Sequence, residues 1–368
     1  MSDSQGVRPP HSPRRGRGAV SNPAGRFEKF ETEACDDGWG GLEREIARAP
    51  RSVATEVTEE RARTIIATND SPDIPFDRSI NPYRGCEHGC IYCFARPSHG
   101  YYGLSSGLDF ETKIFAKTNA AERLEAALRR PGYLCEKIAL GSNTDPYQPT
   151  ERRLRITRSI LEVMVRFRHP VSVVTKSHGI VRDLDLLREL AADGLASVYV
   201  SITTLDTELA SSMEPRASTP ERRLAAVERM AAAGVPCGVL FSPVIPGLND
   251  HELESVLEAA AGAGASSAGY LVVRLPFEIK DLFREWLETH YPLRAGKVMS
   301  LIRSLRGGRL NDPRFGHRHR GTGRYAEMLK ARFGVATRQH GLGGKGPRLS
   351  TELFRVPPDD GPQGRLFD

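Results

Sequence analysis

Cys86-Glu87-His88-Gly89-Cys90-Ile91-Tyr92-Cys93 places three thiols at CxxxCxxC spacing within a glycine-containing loop. Cysteine thiolates are the usual ligands of iron–sulfur clusters, and a [4Fe–4S] cube takes one per iron. Three protein ligands leave one iron open to a further molecule, which separates a catalytic cluster from one that only carries electrons. Two plainer readings stand beside this one. A zinc site wants a fourth Cys or His and commonly a second paired motif, and His88 lies between two of the ligands in a tight loop. The other is three buried cysteines holding nothing.

Outward from this loop the chain becomes rhythmic. Short β-branched runs recur at Lys137–Leu140, Val171–Thr175, Val198–Thr203, Gly238–Phe241 and Tyr270–Val273. Helical patterns lie between them, at Ala120–Arg130, Glu151–Arg168, Asp183–Ala192, Glu221–Ala233 and Leu253–Ala261. Strands alternating with helices at a period of roughly 30 residues indicate βαβ units and a parallel sheet. Thr219 can cap the helix that Pro220 opens, and Gly234 can end it. With a first strand near Ser79–Arg84 there are six βα units. The cysteine loop follows the first of them, at the rim where parallel α/β folds collect their active-site residues.

The cysteine spacing, with Tyr92 just before the last ligand, resembles the signature of the radical S-adenosylmethionine (SAM) enzymes, and the resemblance covers roughly residues 75–275. It implies an α/β fold, a partial (β/α)6 TIM-like barrel, with a [4Fe–4S] cluster held by Cys86, Cys90 and Cys93 and SAM bound at the open iron. It implies further that Ser142, Asn143, Thr144 and Asp145, after the second strand, meet the methionine ammonium, since a protonated amine needs acceptors. Lys176 and Arg216 become partners of the SAM carboxylate, Ser201 the ribose contact, and Val244 and Ile245 the apolar support of adenine, with Tyr92 on its other side. The segments Asn81–Arg96 and Thr144–Glu151 are similar to those of a bacterial and archaeal branch related to spore photoproduct lyase. That lyase returns a hydrogen atom from a cysteine at the end of its second strand; here Asn143 occupies that neighbourhood, and Cys135 lies before the strand instead.

Composition sets the surroundings. The chain has 368 residues and a net charge of +6. No apolar run approaches the roughly 18 residues of a membrane span. The first residues, MSDSQGVRPPHSPRRGRG, lack a signal peptide's apolar core and read as a disordered basic tail. Residues 1–70 are expected to form a largely disordered extension with one short helix around Gly41–Arg48, residues 71–290 the catalytic core, and 291–368 a basic extension. Cys35, Cys135 and Cys237 form no second motif, and a reducing cytoplasm suits such a cluster. From Arg303 to Arg348 twelve Lys and Arg face only Asp312 and Glu327. Such a block favours nucleic-acid contact, or is simply a solvated surface. Within it, Asn311–Gly321 is expected to close over the barrel's open side and bind an anionic substrate, to contact an RNA or DNA backbone, or to protrude as a solvated loop.

The resemblance implies one-electron reduction of SAM, by a donor such as flavodoxin or ferredoxin, and hydrogen abstraction from a substrate in which nucleic acid is included. An electron-transfer or sensor protein, and a nucleic-acid-binding protein with a structural metal, are the alternatives.

Overall fold

The computed structural model describes residues 14–28, 53–344 and 346–358. Cys35 and the helix expected around Gly41–Arg48 lie outside these residues. Ten strands are described: β1 (Glu56–Glu60), β2 (Ala67–Thr68), β3 (Arg78–Ile80), β4 (Tyr83–Arg84), β5 (Lys113–Lys117), β6 (Ile138–Leu140), β7 (Val171–Thr175), β8 (Ala196–Ser201), β9 (Cys237–Val244) and β10 (Ser267–Val272). The main sheet runs β10-β9-β8-β7-β6-β3-β2. Its pairings from β3 through β10 are parallel, and β2 is antiparallel on one edge. The six parallel strands, with helices between them, form the partial (β/α)6 barrel.

The strands are buried, as parallel strands covered by crossover helices must be. Ile80, Leu140, Val173, Val198 and Val239 share one core with Leu124, Ile160, Leu187, Val227 and Val256 from the helices. Thr219 caps the helix Pro220–Ala232 by accepting from Arg222 N, and Gly234 follows it at φ 74°. The expected helix Glu151–Arg168 is divided into Glu151–Leu154 and Ile156–Phe167 by Arg155 at φ 53°. That break turns the longer helix so that Ile156, Ile160, Leu161, Met164 and Phe167 face the core.

A second apolar cluster lies beneath the rim, joining Ile91, Tyr92, Ile245 and Val273 to Phe283, Trp286, Val298 and Ile302. The last four come from helices Ile279–His290 and Pro292–Leu305. The basic block is thus largely folded: Arg324–Gln339 is a helix, and Arg332 pairs with Glu254 at 2.6 Å. The described parts of the N-terminal extension are also packed, contrary to the expectation of disorder there. Arg17, Ala19 and Val20 are buried, and β1 pairs with β5 beside β4. Their partners lie far along the chain, so no local periodicity marked them.

Candidate metal centre and cofactor site

Cys86, Cys90 and Cys93 are free thiols on one loop after β4. The loop turns through Gly89 at φ 68°, a conformation glycine adopts at little cost. A network of charges holds its back. Arg96, fully buried, donates to the carbonyls of Gly89 (3.0 Å), Cys90 (2.8 Å), Ser106 (3.1 Å) and Gly107 (2.9 Å), and pairs with the equally buried Glu111. Glu111 in turn accepts from Gly18 N at 2.9 Å and Ala19 N at 2.8 Å. The N-terminal segment is thereby pressed onto the cysteine loop. A Cβ on Gly18 would stand 1.9 Å from the Gly89 carbonyl oxygen, so only glycine fits there. Arg17 extends the strap, reaching Glu111 O at 2.8 Å and Thr55 Oγ1 at 2.9 Å.

The loop's own charged residues are occupied as well. Glu87 accepts from Thr150 N (2.7 Å) and Thr55 (2.8 Å) and pairs with Arg216 at 3.0 Å. Arg216, expected at the SAM carboxylate, is therefore engaged by the loop, and its amide donates to His88 O. Asp145, expected at the ammonium, accepts from Thr175 (2.7 Å), Lys176 N (2.7 Å) and Tyr147 N (2.9 Å), and His88 Nδ1 stands 3.3 Å away. Burial alone would raise its pKa, but His88 and these donors hold the carboxyl at about 2. Asp145 thus fastens the cysteine loop to the end of β7. Thr144 donates to Tyr83 O at 2.8 Å. Asn81 bonds the Asn143 amide at 2.8 Å and reaches Ser142 Oγ at 3.4 Å, leaving Ser142 half-buried and Asn143 exposed at the rim.

Other expected residues do meet. Lys176 Nζ donates to Ser201 Oγ at 3.0 Å and stands 5.9 Å from the centre of the Tyr92 ring. Tyr92 donates to Glu214, which also accepts from Thr203 at 2.7 Å and pairs with the buried Arg223. Ile245 packs with Ile91 and Tyr92 in the rim cluster, while Val244 belongs to the barrel core. Glu214 and Arg223 went unnoticed in the sequence, as did Arg96, Glu111 and Asn81. A charged residue flanked by core positions, such as Glu214 after Met213, was the available signal.

The donor set fits an iron–sulfur cluster. Burial pushes the Cys86 thiol well up, with Asp145 and the neighbouring thiols adding to it; burial and Glu214 do the same at Cys90, opposed by Lys176 and Arg223. Thiols so placed resist ionising alone and need metal charge to hold them as thiolates. Among the described residues, no group of three or more His, Cys, Asp or Glu could hold a single metal ion. Thiolates that each bind a different iron of a cube stand farther apart than ligands of one ion.

Fold and site together define an open parallel βα barrel carrying a three-cysteine rim loop. The model of the radical SAM superfamily matches residues 80–260, and the chain belongs to that superfamily, whose [4Fe–4S] cluster and SAM are its cofactors. It is 35% identical over 309 residues to uncharacterized proteins of Mycobacterium tuberculosis and Mycobacterium bovis, covering 83% of this chain and 86% of theirs. An uncharacterized protein of Methanocaldococcus jannaschii is 29% identical over 213 residues, 58% of this chain and 76% of its own. Among solved structures, a spore photoproduct lyase complexed with dinucleoside spore photoproduct has the same fold, with a TM-score of 0.54 and 17% identity, covering 77% of this chain and 79% of that one.

Proposed function

We propose that this radical SAM enzyme abstracts a hydrogen atom from a substrate entering at the barrel rim, and that the substrate is a nucleic acid or a component of one. The observation that carries the reading is the cysteine loop at the rim, with Lys176, Ser201 and Glu214 gathered on the side of Cys90. When bound, the cofactors supply one-electron cleavage of the SAM sulfonium to methionine and a 5′-deoxyadenosyl radical, which takes the hydrogen.

The chain's own residues hold and shield. Lys176, fixed by Ser201, offers a cation to the SAM carboxylate. Ser142 and Asn143 remain at the rim as acceptors for its ammonium, whereas Thr144 and Asp145 shape the loop that presents them. Tyr92 and Ile245 form an apolar floor that excludes water. Cys86, Cys90 and Cys93 ligate the cluster, and the Arg96 and Glu111 clamp sets the loop that bears them. Asn143 carries no thiol, and Cys135 precedes β6, at the end of the strand opposite the rim. Burial also pushes Cys135 up to about 11. The cysteine-mediated hydrogen return of spore photoproduct lyase has no counterpart at these two positions, which supports a reaction other than that lyase's. The electron comes from a flavodoxin or ferredoxin in the cytoplasm. Among the described residues, no helix is long and apolar enough to cross a membrane.

The test is anaerobic reconstitution with iron and sulfide, reduction with dithionite, and assay of 5′-deoxyadenosine. A fully loaded protein that neither binds nor cleaves SAM would overturn the reading.

A further inference from the structure

The segment 311–321 ties the two edges of the open sheet together. Arg306, buried after helix Pro292–Leu305, donates to the carbonyls of His317 (2.9 Å), Arg318 (2.9 Å), Val272 (3.1 Å) and Val273 (2.6 Å). Val272 N donates to His319 O at 2.8 Å, so the segment is fastened to the end of β10. On its other side Arg318 Nε donates to Asp73 Oδ2 at 2.8 Å, and Gly316 N reaches the same oxygen at 3.2 Å. Asp73 lies in the loop between β2 and β3, at the opposite edge of the sheet. This packing matches closure over the open side rather than a protruding loop.

Arg274 sits within that closure, two residues after β10, half-buried, with its guanidinium carbon 4.6 Å from the centre of the Phe94 ring. Phe94 follows the last cluster cysteine and is 42% exposed. Two of the neighbouring arginines have acceptors: Arg318 has Asp73, and Arg306 has its carbonyls. Among the described residues, no carboxylate lies within ion-pair distance of Arg274. A guanidinium removed from water is ordinarily paired, because its desolvation is costly. Its contact with Phe94, the residue after Cys93, sets it against the cluster loop. His319 Nε2 is buried there too, without a hydrogen-bond partner and 3.7 Å from Asp73 Oδ2. Phe315, 53% exposed, lies under Arg318 at 4.8 Å, and Arg320 covers Tyr270 at 4.2 Å.

We infer that Arg274, braced by Phe94 and flanked by Arg318 and His319, is a binding site for a phosphate group of the substrate. A guanidinium stacked on a ring presents its N–H edge to an oxyanion in the plane. Exposed rings beside cations suit a phosphate carried by a molecule with flat bases, whether a free nucleotide or a nucleic-acid strand. The site places that phosphate beside Cys93, on the cluster's flank, and leaves Lys176 to SAM. This assignment rests on the hydrogen-abstraction reading, because it treats the rim as the substrate's entrance.

The experiment uses the full-length reconstituted protein and a fluorescein-labelled single strand of eight thymidylates, with thymidine monophosphate, inorganic phosphate and acetate as competitors. Arg274→Gln is expected to weaken strand binding about ten- to hundredfold, the range of a lost charged hydrogen bond. Arg274→Lys should retain part of it, and Arg332→Gln, on a distant exposed pair, should bind as the parent does. Displacement by inorganic phosphate but not by equal acetate supports the phosphate assignment; thymidine monophosphate matching the strand in affinity identifies the free nucleotide as its source, and a much weaker one the strand. Unchanged binding in Arg274→Gln, an equal loss in Arg332→Gln, or equal displacement by acetate overturns the site. SAM cleavage by the parent protein without substrate is measured separately. If it cleaves SAM while Arg274→Gln binds normally, only the site fails; if it does not cleave SAM, the reaction reading fails whatever the binding shows.

Discussion

Replacing Glu111 with alanine tests whether the strap and clamp behind the cluster loop carry the energy their burial implies. Glu111 and Arg96 are both 0% exposed in their side chains. Removing one member of a buried pair costs about 3–5 kcal/mol, because the remaining charge stays desolvated. The amides of Gly18 and Ala19 lose their acceptor as well. Each would cost about 1–3 kcal/mol if it stayed buried, but the strap can lift and rehydrate them, so the low end applies. The sum is about 5–7 kcal/mol, a large share of the roughly 5–15 kcal/mol by which domains are stable. Urea unfolding of the metal-free protein reads the loss directly, with Glu254→Ala as the comparison. That carboxylate pairs with Arg332 at the surface, where about 0–1 kcal/mol is expected. Iron content after reconstitution should fall with stability, since Arg96 no longer fixes the Gly89 and Cys90 carbonyls. A Glu111→Ala protein within about 1 kcal/mol of the parent would refute the clamp.

Gly18→Val should release the strap, because a Cβ there collides with the Gly89 carbonyl; faster proteolysis near residue 18 and slower iron uptake would show it, and parental behaviour would contradict the close approach. Lys176→Met should weaken SAM binding about tenfold by equilibrium dialysis of the loaded protein, the effect of one charged hydrogen bond, while Arg216→Met should act on iron loading instead. His169, fully buried between Tyr133 (2.9 Å) and Pro170 O (3.0 Å), is pushed down to about 4 by burial. Its neutral form is favoured in the fold, so its contribution is complete above the unfolded pKa of about 6.5 and is lost as pH falls toward 4. The loss between pH 7.5 and 4.5 amounts to about 2.5 kcal/mol by urea titration, and a His169→Gln protein should lack that increment.

The alternating runs placed the barrel strands to within a few residues, and β7 at the expected Val171–Thr175. A strand buried on both faces announces itself as a β-branched run, and a capped helix by Thr219 and Pro220; both signals are local. The meeting of Lys176 with Ser201 was legible because each ends a strand and neighbouring strand ends are adjacent in a parallel sheet. What escaped was set by distant partners. Arg216 pairs with Glu87 and Asp145 with His88, contacts made by the cysteine loop that no local pattern announces. The strap residues Arg17 and Gly18 look like any basic, glycine-rich tail until Glu111, more than ninety positions away, binds them. The C-terminal extension hid two helices, Pro292–Leu305 and Arg324–Gln339, because its apolar positions, such as Val298, Ile302 and Leu329, are scattered among many charges.

The central claim is that Cys86, Cys90 and Cys93 hold a cluster that cleaves SAM, and the most direct measurement is iron content and 5′-deoxyadenosine formation in the same anaerobic, dithionite-reduced samples of the parent and the three single alanine variants. About four irons per chain and SAM cleavage are expected in the parent, with both lost or sharply reduced in every variant. Cleavage that survives any one of these substitutions, or a fully loaded parent that leaves SAM intact, would contradict it.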